Sequence, residues 1–407
     1  MQFGDETGWD LENDWSRYWI LDPEVTFLNH GSFGACPAPI LAEQARLRAE
    51  LESQPVRFLA RQYEARLDAA RAAVADFVGA DSEDLVFVPN ATTGVNAVLQ
   101  SLRFAPGDEL VVTDHEYNAS RNVLDFVAAR DGARVVVATI PFPLESPARV
   151  VEAILDRVTG NTKLVLLDHI TSQTGLVLPV AEVNEALVER GIDLLVDGAH
   201  GPGMVPLDLR KLGAAYYTGN CHKWLCAPKG AAILHVRRDR QDQIRPPIIS
   251  HGANSRRTDR SRYQLEFGWM GTDDPTAYLV VPAAMQFLGS LLPGGLPELM
   301  ARNRALVLAA RQLLCETLHI PPPCLDEMIG SLATLPLPSA EVDPTAGTTP
   351  PVSDHDGLQE VLEEEYGIIT PVIYWPAWPR RVVRIAAQAH NSLGQYRRLA
   401  GMLAKIL

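Results

Sequence analysis

Two residues whose side chains could carry covalent chemistry follow consecutive apolar segments. Asp197 ends the segment that begins at Ile192, and Lys223 follows His222 just beyond the segment that begins at Ala214. A carboxylate can hold the protonated nitrogen of a pyridine ring, and a lysine amine can form an imine with an aldehyde. Pyridoxal 5′-phosphate (PLP) requires this pair, because its ring withdraws electrons from a substrate carbon only while its nitrogen stays protonated. The pair therefore predicts a PLP site.

Seven apolar segments between residues 85 and 237 predict the sheet that would position this pair. They alternate with helical stretches, which is the pattern of β-α-β units on a parallel sheet covered by helices on both faces. Ligands of such sheets bind beyond the carboxyl ends of the strands, so the strand tips are where chemistry is expected. The predicted strands begin at Leu85, Glu109, Arg134, Lys163, Ile192, Ala214 and Ala231, with crossover helices over 119–130, 149–159 and 180–190.

The flanking segments predict helices before the sheet and a smaller domain after it. Helical periodicity covers 40–51 and 63–78, with a Pro-broken linker at 54–58 between them. Further along, the pattern predicts a helical region 284–318, strands near 330–337, 367–374 and 381–387, a surface loop 338–351 and a final helix 393–407. We expect an N-terminal segment 1–60 that contributes to the active site and the small domain, a large domain 61–290 and a small α+β domain 291–407.

A turn suited to a phosphate group follows the first predicted strand. Asn90-Ala91-Thr92-Thr93-Gly94 opens a helix, and a helix N-terminus presents free backbone N–H groups together with the positive end of the helix dipole. Many helices begin with a threonine cap and bind no phosphate. The turn therefore indicates a phosphate site only in combination with the other strand tips.

Six motifs along the chain carry a resemblance to a known family. They are FLNHGSFGACP from Phe27, NATTG from Asn90, DHEYNA from Asp114, DGAHGPG from Asp197, GNCHKWLCAPKG from Gly219 and RIAAQAHNS from Arg384. Together they resemble the isopenicillin N epimerase-like branch of the class V aminotransferase superfamily, which has the PLP-dependent transferase fold of type I. The resemblance covers nearly the whole chain and is weakest over 290–365. It implies an α/β fold with a mainly parallel seven-stranded sheet between helices and a smaller α+β C-terminal domain.

The resemblance implies a residue for each part of the coenzyme. Lys223 would be the imine lysine, and Asp197 would pair with the pyridine nitrogen. The phosphate would be held by Thr92, Thr93, Asn220 and His222, with Thr272 added from the second subunit of a homodimer that shares its active sites. The ring hydroxyl would be approached by His200 and by Ser172 or Gln173.

The resemblance also implies where the substrate would bind. Arg384 would bind the α-carboxylate with two hydrogen bonds and so fix which α-bond reacts. Asn29 and His30 are further candidates for the substrate pocket, although a turn before Gly31 would explain them equally well. Arg57 is a candidate too, but an ordinary charge on a helix face is the favoured interpretation. An aromatic side chain from DHEYNA would stack on the coenzyme, and we favour Tyr117 over His115.

Three reactions of an amino-acid substrate remain open, and the resemblance implies each of them through relatives of this branch. Elimination would make a carbon–sulfur lyase that splits a cysteine S-conjugate, as in ergothioneine and lincosamide pathways. Reprotonation would make an epimerase, and decarboxylation with oxidative deamination would give an aldehyde. Elimination is favoured, because it needs only Lys223 and a proton donor such as Tyr117 or His115, whereas an epimerase needs a second acid–base group. A cysteine desulfurase is disfavoured, because Ile369 falls where its reactive cysteine is expected. A non-catalytic PLP-binding protein is the alternative outside enzymes.

The composition excludes several other classes of function. The 36 basic and 50 acidic side chains give a net charge of −14, which disfavours binding to nucleic acid or to an anionic membrane. Five cysteines without a CxxC pair predict reduced thiols and no metal site. We expect a cytoplasmic enzyme of secondary metabolism, such as antibiotic biosynthesis, that acts on a small molecule.

Overall fold

The structure is a computed structural model that describes residues 11–12, 15–340 and 356–407. Its strands are β1 (Thr26–Phe27), β2 (Leu85–Val88), β3 (Glu109–Thr113), β4 (Arg134–Ala138), β5 (Thr162–Asp168), β6 (Asp193–Asp197), β7 (Tyr216–Asn220), β8 (Ala232–Val236), β9 (Leu332–Leu337), β10 (Ile368–Ile369), β11 (Val372–Tyr374) and β12 (Arg381–Ala386).

The helices lie mainly before, between and after the strands of the large sheet. They are α1 (His30–Phe33), α2 (Ala38–Ser53), α3 (Pro55–Arg57), α4 (Tyr63–Phe77), α5 (Ala91–Ser101), α6 (Asn118–Asp131), α7 (Pro147–Leu155), α8 (Val180–Val188), α9 (Leu209–Leu212), α10 (Arg262–Gly268), α11 (Thr276–Leu279), α12 (Val281–Gly289), α13 (Gly295–Leu318), α14 (Gly357–Glu364) and α15 (Leu393–Ile406).

A seven-stranded sheet with the order β2-β8-β7-β6-β5-β3-β4 forms the centre of the molecule. Strand β8 is antiparallel to both of its neighbours, and the remaining pairs are parallel. Helices α5, α6 and α10 pack on one face, and α4, α7 and α8 pack on the other. Because both faces are covered, the strands are continuous apolar runs, and Leu110, Val111 and Val112 are all fully buried. The predicted fold class and all seven predicted strands are confirmed.

Two small sheets connect the ends of the chain. Strands β11, β12 and β9 form an antiparallel sheet, and β1 pairs in parallel with β10. The single strand predicted over 367–374 is therefore wrong, because Thr370 and Pro371 separate two short strands that belong to different sheets. The β1–β10 pair brings the N-terminal segment to the C-terminal part of the fold.

The predicted linker at 54–58 is also wrong, because this segment is helical. Helix α3 starts with Pro55, and a π-helical turn, Phe58–Gln62, continues directly into α4. Proline is well placed at the first position of a helix, where its missing N–H would have no partner. The predicted surface loop 338–351 falls, beyond residue 340, outside the described residues. None of the helices in the described part of the chain combines the length and apolarity needed to cross a membrane.

Candidate active site

Lys223 lies beyond the end of β7, in contact with a histidine from the end of β6. Its Nζ is 3.0 Å from Nε2 of His200, and the indole N–H of Trp224 donates to Nδ1 of the same ring at 3.2 Å. Because an indole nitrogen can only donate, Nδ1 of His200 must be an acceptor, and the proton of the neutral ring is on Nε2. Burial lowers the pKa of His200 well below its usual value, which keeps the ring neutral. His200 therefore donates to the Lys223 amine, which accepts in its uncharged form.

The surroundings of Lys223 favour that uncharged amine. Burial, and secondarily the charge of Arg384, lower the pKa of Lys223 to about 8. An uncharged amine is the form that condenses with an aldehyde or removes a proton. With a pKa of about 8, a much larger fraction of Lys223 is uncharged near neutral pH than of a lysine in water, and this fraction can act as a nucleophile or a base.

Asp197 presents a carboxylate at the carboxyl end of β6. Ser120 from α6 donates its hydroxyl to Oδ2 at 2.7 Å, and the Ala199 N–H donates to Oδ1 at 3.1 Å. The side chain is 2% exposed, and burial raises its pKa. These contacts hold a buried acid in place near Lys223. A carboxylate that pairs with a protonated ring nitrogen would need to be held in this way.

The NATTG turn forms the N-terminus of α5, and the structure shows how it is held. Asn90 caps the helix by accepting from the Thr93 N–H at 2.8 Å and the Thr93 hydroxyl at 2.9 Å. Asn220, at the end of β7, accepts from the Ala91 N–H at 2.8 Å. Among the described residues, the Thr92 N–H and hydroxyl have no hydrogen-bond partner. Thr92 therefore offers the free donors of this helix end, while Asn220 anchors the turn.

His222 is adjacent to Lys223 but does not have a free donor for a phosphate in this state. Its Nδ1 donates to the Ala231 carbonyl at 2.8 Å, so Nε2 of the neutral ring is an acceptor. Burial lowers its pKa to about 4. His222 could donate to a phosphate only if the bound dianion raised that pKa and protonated Nε2.

Arg384 on β12 is a buried guanidinium without a counter-ion. It is 3% exposed, and no carboxylate lies within 4.0 Å of it in the part of the chain that the structure describes. It donates to the carbonyl and hydroxyl of Ser172, to Oδ1 of Asn29 at 3.2 Å and to the hydroxyl of Ser32 at 2.8 Å. Burial lowers its pKa to about 10, and its Nε has no hydrogen-bond partner within the described ranges. A buried, unpaired guanidinium is a binding site for a small anion.

Ser172 and Gln173 lie in the loop after β5, at the edge of this site. Ser172 supports Arg384, and the Gln173 carbonyl accepts from the Thr334 hydroxyl at 3.0 Å. The amide oxygen of Gln173 is buried without a partner among the described residues. Of the two, Gln173 therefore retains a free polar group, and Ser172 is already engaged.

The two aromatic candidates of the DHEYNA motif lie in different surroundings. His115 is 1% exposed, and its nitrogens contact the Thr174 hydroxyl at 2.7 Å and the Ile140 carbonyl at 3.0 Å. Tyr117 is 43% exposed at the N-cap of α6 and lies close enough to Arg384 to act on its charge. Tyr117 is thus an exposed aromatic side chain near Arg384, whereas both ring nitrogens of His115 are already engaged.

Three further predicted residues are not brought to the open site by this single chain. His30 is fully buried, donates from Nε2 to the Lys223 carbonyl at 3.0 Å and accepts on Nδ1 from His390 at 3.1 Å. It supports the segment that carries Lys223 and has no free nitrogen for a substrate. Arg57 is exposed on α3 without a hydrogen bond to another described site residue, and Thr272 is exposed after α10.

The sequence did not single out several residues of this site. Trp224 donates to His200 and Ser32 accepts from Arg384, and both residues lie within motifs to which the sequence assigned other roles. Glu116 and Asp168 form a group with Asp197 in which the three carboxylates lie within 4.8 Å of one another. The register of the sheet pairs Asp168 with Asp197, so adjacent strand tips that both end in an acid were the available signal.

The fold and this arrangement of lysine, aspartate and arginine define a PLP-dependent enzyme of fold type I. The chain belongs to the aminotransferase class-V family, whose model matches residues 41–314. It is 34% identical to an isopenicillin N epimerase of Amycolatopsis lactamdurans over 95% of this chain and 96% of the relative. It is 32% identical to a putative L-cysteine desulfhydrase 1 of Oryza sativa subsp. japonica, over 94% of this chain and 83% of the relative. The structure also resembles the cystine C–S lyase C-DES, with a TM-score of 0.74 at 24% identity, covering 93% of this chain and 97% of that one.

The described residues fit PLP, the cofactor of this family. Asp197 offers a buried acid for the ring nitrogen, Lys223 an uncharged amine for the aldehyde, and α5 unpaired donors at Thr92 for the phosphate. All three lie at the carboxyl edge of the sheet, where α/β proteins of this topology bind ligands.

Proposed function

We propose that the protein is a PLP-dependent carbon–sulfur lyase. It would convert a cysteine S-conjugate and water into pyruvate, ammonia and a free thiol. The bond that breaks joins the β-carbon to sulfur, the sulfur takes up a proton, and no oxidant or reductant is consumed. The proposal is supported by the site geometry and by the putative cysteine desulfhydrase among its relatives.

The unpaired guanidinium of Arg384 carries this proposal. Among the N–H groups of Arg384, only Nε–H has no partner in the described part of the chain. An α-carboxylate would therefore bind with two charge-assisted hydrogen bonds by accepting from Nε–H and by replacing Asn29 or Ser32, both neutral acceptors, on Nη2. Arg384 and Lys223 are close enough for the charge of one to lower the pKa of the other. Binding through the carboxylate therefore holds the α-carbon of an amino acid near the Lys223 amine.

The remaining steps are assigned to groups of this chain. When bound, PLP supplies an electron sink that weakens the bonds to the α-carbon of the substrate. Lys223 takes the α-proton, and His200, kept in one tautomer by Trp224, orients the amine through its Nε2–H. Tyr117 is exposed and near Arg384, and we assign its hydroxyl as the group that gives a proton to the departing sulfur. Asn29 and Ser32 hold Arg384 in place.

A desulfurase reaction is not supported, because it needs an accessible, reactive thiol. All five cysteines of the chain are free and buried. Burial raises the pKa of Cys36 and Cys221 to about 12, and it raises the pKa of Cys226 well above its usual value. These thiols would be protonated at neutral pH and would react slowly.

An epimerase is the second candidate, and the 34% identical isopenicillin N epimerase supports it. It would require an acid–base group on the face of the α-carbon opposite Lys223. His115 has both nitrogens engaged, which leaves Tyr117 as the candidate for that group. The decarboxylating deaminase and the non-catalytic PLP-binding protein stay as alternatives that the assay below separates.

The assay is incubation of the purified holoenzyme with S-methyl- and S-benzyl-L-cysteine in D₂O. We expect equimolar pyruvate and thiol, measured with lactate dehydrogenase and a thiol reagent. Deuterium exchange at the α-carbon without pyruvate would replace the lyase with the epimerase, and release of CO₂ with an aldehyde would indicate the deaminase. A visible coenzyme band that does not shift with any amino acid would favour the non-catalytic protein.

Matched variants test the assigned residues. Lys223→Ala should abolish turnover. The control Lys211→Ala, which changes an exposed lysine on α9, should not change it.

Arg384→Lys keeps the charge but cannot donate two parallel hydrogen bonds to a carboxylate, so KM should rise about 10- to 100-fold with a smaller change in kcat. An unchanged KM would contradict the role of Arg384.

We further propose a homodimer in which Thr272 of one subunit completes the phosphate site of the other. The proposal is supported by large apolar side chains left exposed, namely Phe33, Ile248 and Ile249, which are 74%, 59% and 62% exposed. A cytoplasmic location and a role in secondary metabolism, such as antibiotic biosynthesis, are part of the same proposal.

A further inference from the structure

Three acidic side chains from the tips of three adjacent strands meet beneath the candidate coenzyme site. Glu116 follows β3, Asp168 ends β5 and Asp197 ends β6, and one oxygen of each lies within 4.8 Å of the others. Their exposed fractions are 7%, 3% and 2%. We call these residues the carboxyl triad. Of the three, only Asp197 has an assigned role, as the partner of the coenzyme's ring nitrogen, which leaves two buried acids without one.

The hydrogen bonds of the triad are distributed unequally. Both oxygens of Asp197 are engaged, by Ser120 and by the Ala199 N–H. Glu116 accepts from the Tyr117 N–H at 3.1 Å through Oε1. Oε2 of Glu116 and Oδ2 of Asp168 are buried and have no partner among the described residues. A buried carboxylate oxygen without a donor is costly, whereas a protonated carboxyl is much less so. The negative charge is therefore best accommodated on Asp197.

The charges facing the triad do not neutralise three carboxylates. Arg121 of α6 faces Glu116, but its guanidinium is bonded to Asp125 at 3.0 Å. Lys223 faces Asp168 and Asp197, and Tyr217 of β7 faces Asp197 with its phenol. Burial first, and the neighbouring acids second, raise the pKa of Glu116 and Asp168 well above their usual values. Three like charges this close cannot all persist at neutral pH.

We propose that Glu116 and Asp168 are neutral, protonated carboxylic acids in the working enzyme, and that they are positioning residues that confine the charge of the triad to Asp197. If both were ionised, two like charges would flank Asp197 and favour protonation of that carboxyl. Asp197 would then lose the charge with which it pairs with a pyridinium nitrogen. The inference rests on the proposed function only in assigning Asp197 to that nitrogen.

The first test observes the protons directly in the holoenzyme. The infrared spectrum at pH 7 should contain the carbonyl stretch of protonated carboxylic acids, shifted in D₂O. Asp168→Asn and Glu116→Gln should each remove part of this band. A wild-type spectrum without the band, or a band that both variants retain, would overturn the proposal. One folded variant is enough for this decision.

The second test uses the pH dependence of unfolding of the holoenzyme. A carboxyl with a raised pKa keeps its proton when folded at a pH where the unfolded chain has lost it. Its stabilisation is therefore present at low pH and falls as pH rises through the folded pKa. Between pH 6 and 8, Asp168→Asn should weaken the pH dependence of the unfolding constant by up to about tenfold per pH unit, the effect of one retained proton. Equal slopes in wild type and variant would contradict a trapped proton.

The matched control is Glu109→Gln, which changes a buried acid on the same strand as the Glu116 turn. Glu109 is 3% exposed but paired with Arg134 and Thr159, which lower its pKa. It is ionised in both states above pH 6, so this variant should leave the slope between pH 6 and 8 unchanged. The same slope change in Glu109→Gln as in Asp168→Asn would show that the effect is not specific to the triad.

Two further measurements separate the proposal from its competitors. Because amides mimic neutral acids, Asp168→Asn and Glu116→Gln should keep the dissociation constant of PLP within about threefold, whereas Asp197→Asn should raise it at least about tenfold. Large losses of PLP affinity in Asp168→Asn and Glu116→Gln would indicate that the wild-type carboxyls carry charge.

A metal titration tests the other alternative. Stabilisation of wild type, but not of Asp168→Asn, by Mg²⁺ or Ca²⁺ would show a cation site and overturn the proposal. None of these results depends on the lyase assay, so either conclusion can fail without the other.

Discussion

At the level of single residues, the chemistry of this site depends on which nitrogen of His200 carries a proton. The choice is made by Trp224, whose indole N–H can only donate and therefore forces Nδ1 to accept. The proton on Nε2 then points at an uncharged Lys223. Trp224 and His200 thus influence the protonation of Lys223 through a hydrogen-bond chain that does not include the coenzyme.

Trp224→Phe should raise the pKa of Lys223. Without the indole N–H, the His200 proton can move to Nδ1, and Nε2 can accept from a Lys223 ammonium. Attachment of PLP to the stripped protein, followed by stopped-flow absorbance, should slow by about 3- to 10-fold at pH 7.5 and recover at higher pH. Trp19→Phe is the control, because the Trp19 indole donates to Ala35 at 3.0 Å in a separate cluster. An unchanged pH profile in Trp224→Phe would contradict this mechanism.

At the level of elements, the site depends on how closely α5 approaches β7. A Cβ on Gly94 would lie 2.2 Å from the Thr218 hydroxyl, so this position needs glycine for the helix to pack on the strand. Asn220 then joins the end of β7 to the first turn of α5 through the Ala91 N–H. The sequence placed Asn220 among the phosphate ligands, and the structure shows that its amide oxygen anchors the turn.

Asn220→Ala should uncouple the turn from the sheet. Loss of an acceptor for a buried N–H should cost about 1–3 kcal/mol in the free energy of unfolding and weaken PLP binding several-fold. Asn220→Asp keeps the acceptor, so it should be more stable than Asn220→Ala yet bind PLP more weakly, since its charge would repel the phosphate. Denaturant unfolding and PLP titration measure the two effects. Asn184→Ala, which removes a buried bond to the Leu212 carbonyl at 2.8 Å, should cost stability without changing PLP affinity.

At the level of the whole molecule, the proposed dimer decides whether the phosphate site is complete. Thr272 is exposed after α10 and has no hydrogen bond to the NATTG turn within the described part of the chain. In the proposed dimer, the exposed apolar side chains at positions 33, 248 and 249 would be covered by the second subunit. A shared site of this kind makes catalysis depend on assembly.

Mixing two inactive variants tests this dependence. Lys223→Ala removes the proposed imine lysine, and Thr272→Arg should obstruct the phosphate site to which Thr272 would contribute. If Thr272 acts across the interface, random exchange of subunits should restore about one quarter of the wild-type activity, because half of the dimers would contain one intact site. If Thr272 acts within its own subunit, no site would be intact and no activity would return. Size-exclusion chromatography with light scattering checks that dimers form.

The sequence by itself determined the strands of the large sheet, and it singled out Asp197 and Lys223 by their position at strand tips and Arg384 through the family resemblance. Parallel strands that are covered by helices on both faces are continuous apolar runs, so the sequence shows where each strand ends. The residues after those ends are the ones expected at the ligand-binding edge of the sheet. It did not determine the burial of His115 and His30, the split of 367–374 or the carboxyl triad. These features depend on which segments meet in three dimensions, and a side chain's exposure, tautomer and charge are set by neighbours that lie far away along the chain.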